Sequence, residues 1–139
     1  MAGTKLDGAG VQKLKTLEEA ATQLQRLHGI VETYALSLKR AQPTSLYGMR
    51  VKRALTPLVG LLKPQFGLIS DQVASLNLVA GRGGSETTKV RQLREGVGAL
   101  RQALEIAVVR VKDNHAVKDE KDESKDSDDP RPGGTPTER

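Results

Sequence analysis

Leu17, Ala20, Leu24, Leu27, Val31, Tyr34, Leu38 and Ala41 recur at alternating spacings of three and four residues. That rhythm keeps one face of a helix apolar, whereas a half-buried strand would alternate at every second position. It predicts a helix from Val11 to Ala41, with Ala21, His28 and Ala35 widening the stripe enough to meet two neighbours. Gly29 is a soft spot in this segment, costing about 1 kcal/mol relative to Ala in a helix interior. Pro43 ends it, because the residue before a proline avoids the helical region, and Gln42 to Ser45 form the expected turn.

A second stripe, Leu55, Leu58, Leu62, Phe66, Ile69, Val73, Leu76 and Ala80, runs through a segment from Leu46 to Ala80. Pro57 and Pro64 interrupt the segment, yet at about 100° per residue both fall opposite the stripe, together with Gly60 and Gly67. This placement favours one long helix bent convex outward around the core, with division into two helices near Thr56 as the alternative. Leu61 and Leu68 lie at the edge of the stripe and are expected to widen its buried sector.

Gly81, Arg82, Gly83 and Gly84 make a link, after which Ser85 is a good helix cap and Glu86 places a negative charge in the first turn. Val90, Leu93, Val97, Leu100, Leu104, Ala107 and Val111 then form a nearly unbroken stripe in a helix that reaches about His115. Its seven-residue repeat is the geometry of left-handed helix packing, in a bundle or along a coiled-coil seam. Gly96 and Gly98 weaken the helix and admit another backbone at close range.

The chain therefore reads as all-α: an antiparallel three-helix bundle over residues 11–117, or four helices if the middle segment splits near Thr56. An elongated coiled-coil hairpin is a third arrangement. Residues 1–10 are expected to be flexible. Residues 118–139 are expected to be a disordered acidic tail, because alternating charges followed by Pro and Gly provide nothing apolar to offset the entropy of ordering.

Composition narrows the chemistry. The absence of cysteine removes thiol nucleophiles, disulfides and Cys-ligated zinc. Phe66, Tyr34 and Tyr47 are the only aromatic residues, which argues against a stacking platform for unpaired bases. His28 reads as a boundary residue and His115 as a residue suited to a helix C-terminus; no Glu-x-x-His pair, metalloprotease helix motif or calcium loop is present. The glycine link lacks the lysine and spacing of a phosphate-binding loop, and Glu18 and Glu19 are adjacent and so point apart. No catalytic, metal or cofactor-binding residue is assigned, no cofactor is implied, and a non-enzymatic protein is expected.

The longest apolar stretch, Ala54 to Ile69, is broken by Lys63 and the two prolines and falls short of the roughly 20 residues needed to cross a bilayer. The first ten residues lack the pattern of a secretory signal, so an intracellular soluble protein, cytoplasmic or nuclear, is expected.

The net charge of +5 conceals a division: residues 1–117 carry 17 Lys and Arg against 9 Asp and Glu, and residues 118–139 carry 5 against 8. No acid occurs between Glu32 and Asp71, where Lys39, Arg40, Arg50, Lys52, Arg53 and Lys63 cluster. A second ridge, Arg91, Arg94, Arg101 and Lys112, runs beside the third stripe. If both ridges faced one way they could meet successive phosphates, so a nucleic-acid-associated protein is the alternative function.

The leading expectation is a scaffold, adaptor or complex subunit that packs against another helical protein, or against itself through the third helix. Ile106, Val109, Ala99 and Ala103 lie outside that helix's stripe, and Leu78 projects from the back of the middle segment, so an interaction face is assigned to them. Ser124 and Ser127, set among acids, are candidate phosphorylation sites that would add negative charge opposite a basic body.

Overall fold

A computed structural model describes residues 5–117 and shows an all-α bundle of four helices: α1 Gly8–Lys39, α2 Tyr47–Leu62, α3 Gly67–Gly81 and α4 Glu86–Asn114. Their order is up, down, up, down. Tyr34 near the end of α1 stacks on Tyr47 at the start of α2. Ser70 Oγ of α3 donates to the Val59 carbonyl of α2, and Gly81 at the far end of α3 lies beside Lys52. Glu32 of α1 pairs with Arg94 of α4, and Asp7 with His115. α1 packs on α2 and α4, and α3 packs on the same two helices. Across the diagonals, α1 to α3 and α2 to α4, no Cα atoms come within 8 Å.

The bent continuous helix expected for residues 46–80 is not formed, and the division falls at Lys63–Phe66 rather than near Thr56. Pro57 sits inside α2 on its exposed side, where the carbonyl it leaves unpaired can turn to water, and Thr56 Oγ1 bonds back to the Lys52 carbonyl. Pro64 ends the helix one residue after its cap. The Phe66 amide bonds back to the Leu62 carbonyl at 2.7 Å, and Phe66 itself adopts φ −136°, ψ 60°, outside the helical region. Reversal is favoured because it folds one stripe upon itself: Leu55, Leu58 and Leu62 on α2 and Val73, Leu76 and Ala80 on α3 are all buried in the common core.

The other two stripes are buried as their spacing requires. Leu17, Ala20, Leu24, Leu27, Val31 and Tyr34 of α1 and all seven stripe residues of α4 belong to the same core. Val51, one turn ahead of the expected stripe, joins them. Ala21 and Ala41 do not: both are exposed, and Ala41 takes a left-handed φ of 56° in the turn after α1. Leu68, expected at the edge of the buried sector, is 83% exposed.

Capping sets the helix starts. Ser85 Oγ accepts from the Thr88 amide, as its position predicts. Asp7 Oδ1 accepts from the Gly10 amide at 2.7 Å and starts α1 three residues ahead of Val11. The preceding chain is also paired: Leu6 and Ala116 form an antiparallel bridge, and the Val117 amide bonds to the Lys5 carbonyl. The expected tail, residues 118–139, and residues 1–4 lie outside the described residues.

Two glycines mark the closest approaches. At Gly10 an added Cβ would lie 2.5 Å from His115 Cβ and 3.2 Å from Leu6 Cβ. At Gly96 it would meet the Leu76 side chain, so the close partner there is a side chain and not another backbone, while Gly98 faces open space. Gly29 likewise has nothing within 4 Å. Gly29→Ala is expected to raise stability by about 1 kcal/mol through helix propensity alone. Gly10→Ala, in the first turn of α1, is expected to lower it by about 1–3 kcal/mol by overpacking against His115. Thermal melts of the two variants, followed by circular dichroism, check this opposition of sign.

Candidate interaction site

Helix lengths determine where the surface is left open. α1 and α4 have 32 and 29 residues, α2 and α3 only 16 and 15, giving rods of about 48, 44, 24 and 23 Å at 1.5 Å per residue. The short pair is flush with the end of the bundle that holds Tyr34, Tyr47 and Glu86. At the opposite end α1 and α4 run on past the α2–α3 turn, which leaves a notch of about 490 Å³ between the start of α3 and the last three turns of α4.

Phe66, Leu68 and Ile69 form one wall of the notch, and Ala103, Ile106, Ala107 and Val111 form the other. Phe66 and Ile69 are half-buried, whereas Leu68 and Ile106 are 83% and 52% exposed. The polar lining consists of Gln65, Asn114, Lys13, Arg110 and His115, with no carboxylate among it. Lys13 Nζ donates to His115 Nε2 at 3.1 Å, and His115 Nδ1 lies 3.1 Å from Asp7 Oδ1. An ammonium can only donate, so Nε2 accepts and the ring carries its proton on Nδ1 toward Asp7. The Gly10 amide, and then His115, hold the Asp7 carboxyl below its ordinary pKa. This line of groups ties the start of α1 to the end of α4 and leaves Lys13 two further donors.

Of the five residues assigned to an interaction face, the structure brings Ala103 and Ile106 into the notch. Ala99 lies one turn back along α4 and Val109 on the adjoining strip of that helix, both exposed and outside the notch. Leu78 belongs elsewhere, in a groove between α2 and α3 lined by Lys52, Thr56 and Asn77. Sequence reasoning missed Leu68, Lys13, Arg110 and His115. A signal for Leu68 exists: counted on α3 alone, it stands about 140° from Val73 and so off that helix's own stripe.

The two basic ridges do not share a face. Arg50, Lys52 and Arg53 lie on α2 with Lys63 at its end, whereas Arg91, Arg94, Arg101 and Lys112 lie on α4, which is diagonal to α2. Lys39 is the exception, lining a groove with Arg91 and Arg94. Arg94 is held by Glu32 through two bonds of 2.9 and 3.0 Å, and Arg101 shares a groove with Glu18 and Glu105. Ser124 and Ser127 lie outside the described residues. Among the described residues no group of three or more His, Asp or Glu side chains is placed to hold a metal ion, and no helix is long and apolar enough to cross a membrane.

At the flush end, a polar knot fixes the turn. Glu86 accepts from Thr44 Oγ1 at 2.7 Å and from Tyr34 Oη at 3.0 Å, and Ser37 Oγ lies 3.0 Å from Tyr47 Oη. The two donated bonds hold the Glu86 carboxyl below its ordinary pKa. Burial, reinforced by the bond to Glu86 and its charge, pushes the Tyr34 phenol up to about 12. Because the folded value exceeds the unfolded one of 10.0, this contribution to stability is complete below pH 10 and disappears as pH rises through about 12. Alkaline unfolding is therefore expected in that window, coupled to phenolate absorbance, and Tyr34→Phe should remove the coupling. Comparison of the chain with protein-family models, with curated proteins and with solved structures finds no match.

Proposed function

We propose that this chain is a non-enzymatic interaction subunit whose notch receives one amphipathic helix of a partner protein, with acidic residues flanking that helix's apolar stripe. The observation that carries the proposal is Leu68, 83% exposed at the mouth of a recess whose other wall holds Ile106. A large apolar side chain so exposed, continuous with half-buried Phe66 and Ile69, gains free energy when a partner covers it. Charge selects the partner. Lys13 and Arg110 stand at the recess with no acid in its lining, and Arg110 makes no ion pair among the described residues. Acidic flanks would meet both cations and steer the approach.

Contact with nucleic-acid phosphates through the basic ridges is the weaker alternative. α2 and α4 are diagonal, and Arg94 and Arg101 have acidic neighbours on α1 or α4.

A photo-crosslinking residue placed at Leu68 in the 139-residue chain, expressed in its own cells, is expected to give one discrete adduct with a different protein. Ala103→Arg should abolish it by filling the recess, and the same probe at Leu78 should not give it. An adduct of twice the chain's mass would replace the partner helix with a second copy. Equal labelling from Leu68 and Leu78, or none from Leu68, would overturn the proposal.

A further inference from the structure

At the end of the bundle opposite the notch, we infer that the first half of α2 docks on an anionic lipid surface. Leu46 caps α2 and is 60% exposed, and Met49 is 53% exposed. With Arg50 and Arg53 they recur at spacings of three and four, on the side of α2 opposite buried Val51, Leu55, Leu58 and Leu62. Pro57 and Gly60 continue this face without long side chains, so the helix can lie flat.

Among the described residues the α2 cations make no ion pair; Arg50 Cζ lies 5.5 Å from the Tyr47 ring centroid, a contact that leaves its charge uncompensated. No acid occurs between Glu32 and Asp71, and Glu86, which does reach this end, is turned onto Thr44 and Tyr34. α2 has neither an acid in its first turn nor a side chain capping it. Cations near a helix N-terminus oppose its dipole, so Arg50, at the end of the first turn, is placed against the stability of its own helix. An external anion reverses that sign. A bare polyanion would use the cations but gain nothing from Leu46 and Met49. The boundary between phosphate headgroups and acyl chains takes both.

The chain contains no tryptophan, so Met49→Trp supplies a single reporter in the 139-residue protein. Vesicles of phosphatidylcholine containing phosphatidylserine are expected to sediment it and shift its emission to the blue, while phosphatidylcholine alone does neither. Arg50→Glu with Arg53→Glu should weaken partition by at least about twentyfold, from roughly fivefold per charge. Leu46→Ser should diminish the blue shift with helical content unchanged. Failure to bind the anionic vesicles, or equal binding to uncharged ones, would overturn the inference. So would duplex DNA that binds the reporter without a blue shift and is released by the same arginine changes, since the surface would then be one for nucleic acid.

Discussion

The reversal at Pro64 determines the rest of this molecule. A segment long enough to match α1 is cut into two helices of 16 and 15 residues, and these cannot cover partners of 32 and 29. The mismatch is taken up at one end only, because the Tyr34–Tyr47 stack and the Glu86 bonds register the short pair against the other. The notch is the geometric remainder. In its apolar walls the stripe residues Phe66, Ile69, Ala107 and Val111 are joined by Leu68, Ala103 and Ile106, which lie off the stripes and have no further helix to cover them.

The two ends of the bundle are held by different chemistry. At the flush end a buried phenol, a stacked ring and a carboxylate join α1, the following turn, α2 and α4 in one small polar cluster. At the notched end the tie is made by Asp7, His115 and Lys13, with the backbone pairing of Leu6 and Ala116 beside it. Gly10 is required there because His115 occupies the space a side chain would need. Each tie holds a surface in place: cations and exposed Leu46 and Met49 at the flush end, Leu68 and Ile106 at the other.

Helix content, the burial of the α1 and α4 stripes and the Ser85 cap were legible because each follows from local spacing or local chemistry. The break was not. From Leu62 to Phe66 to Ile69 the apolar spacing stays at four and three, so periodicity carries no mark of the reversal, and both prolines stand on the exposed side. Taking the helix as continuous also assigned Leu68 to the core, when relative to α3 alone it points outward. Ile106 and Ala103 were legible as surplus apolar residues, but Leu78 obeyed the same rule and lies in a different groove. The bonds of His115 to Asp7 and Lys13 span 108 and 102 residues and leave no trace in local pattern.

The hairpin formed by α2 and α3 is open to direct measurement because the chain has no native cysteine. Spin labels at Lys52→Cys and Arg82→Cys occupy exposed positions, and Lys52 lies beside Gly81 in the folded chain. Double electron–electron resonance should give a short distance, under about 20 Å, with one narrow distribution; a continuous helix through Pro64 would separate the sites by about 45 Å at 1.5 Å per residue. The short distance is the result predicted here, and the long one would contradict the reversal and, with it, the notch.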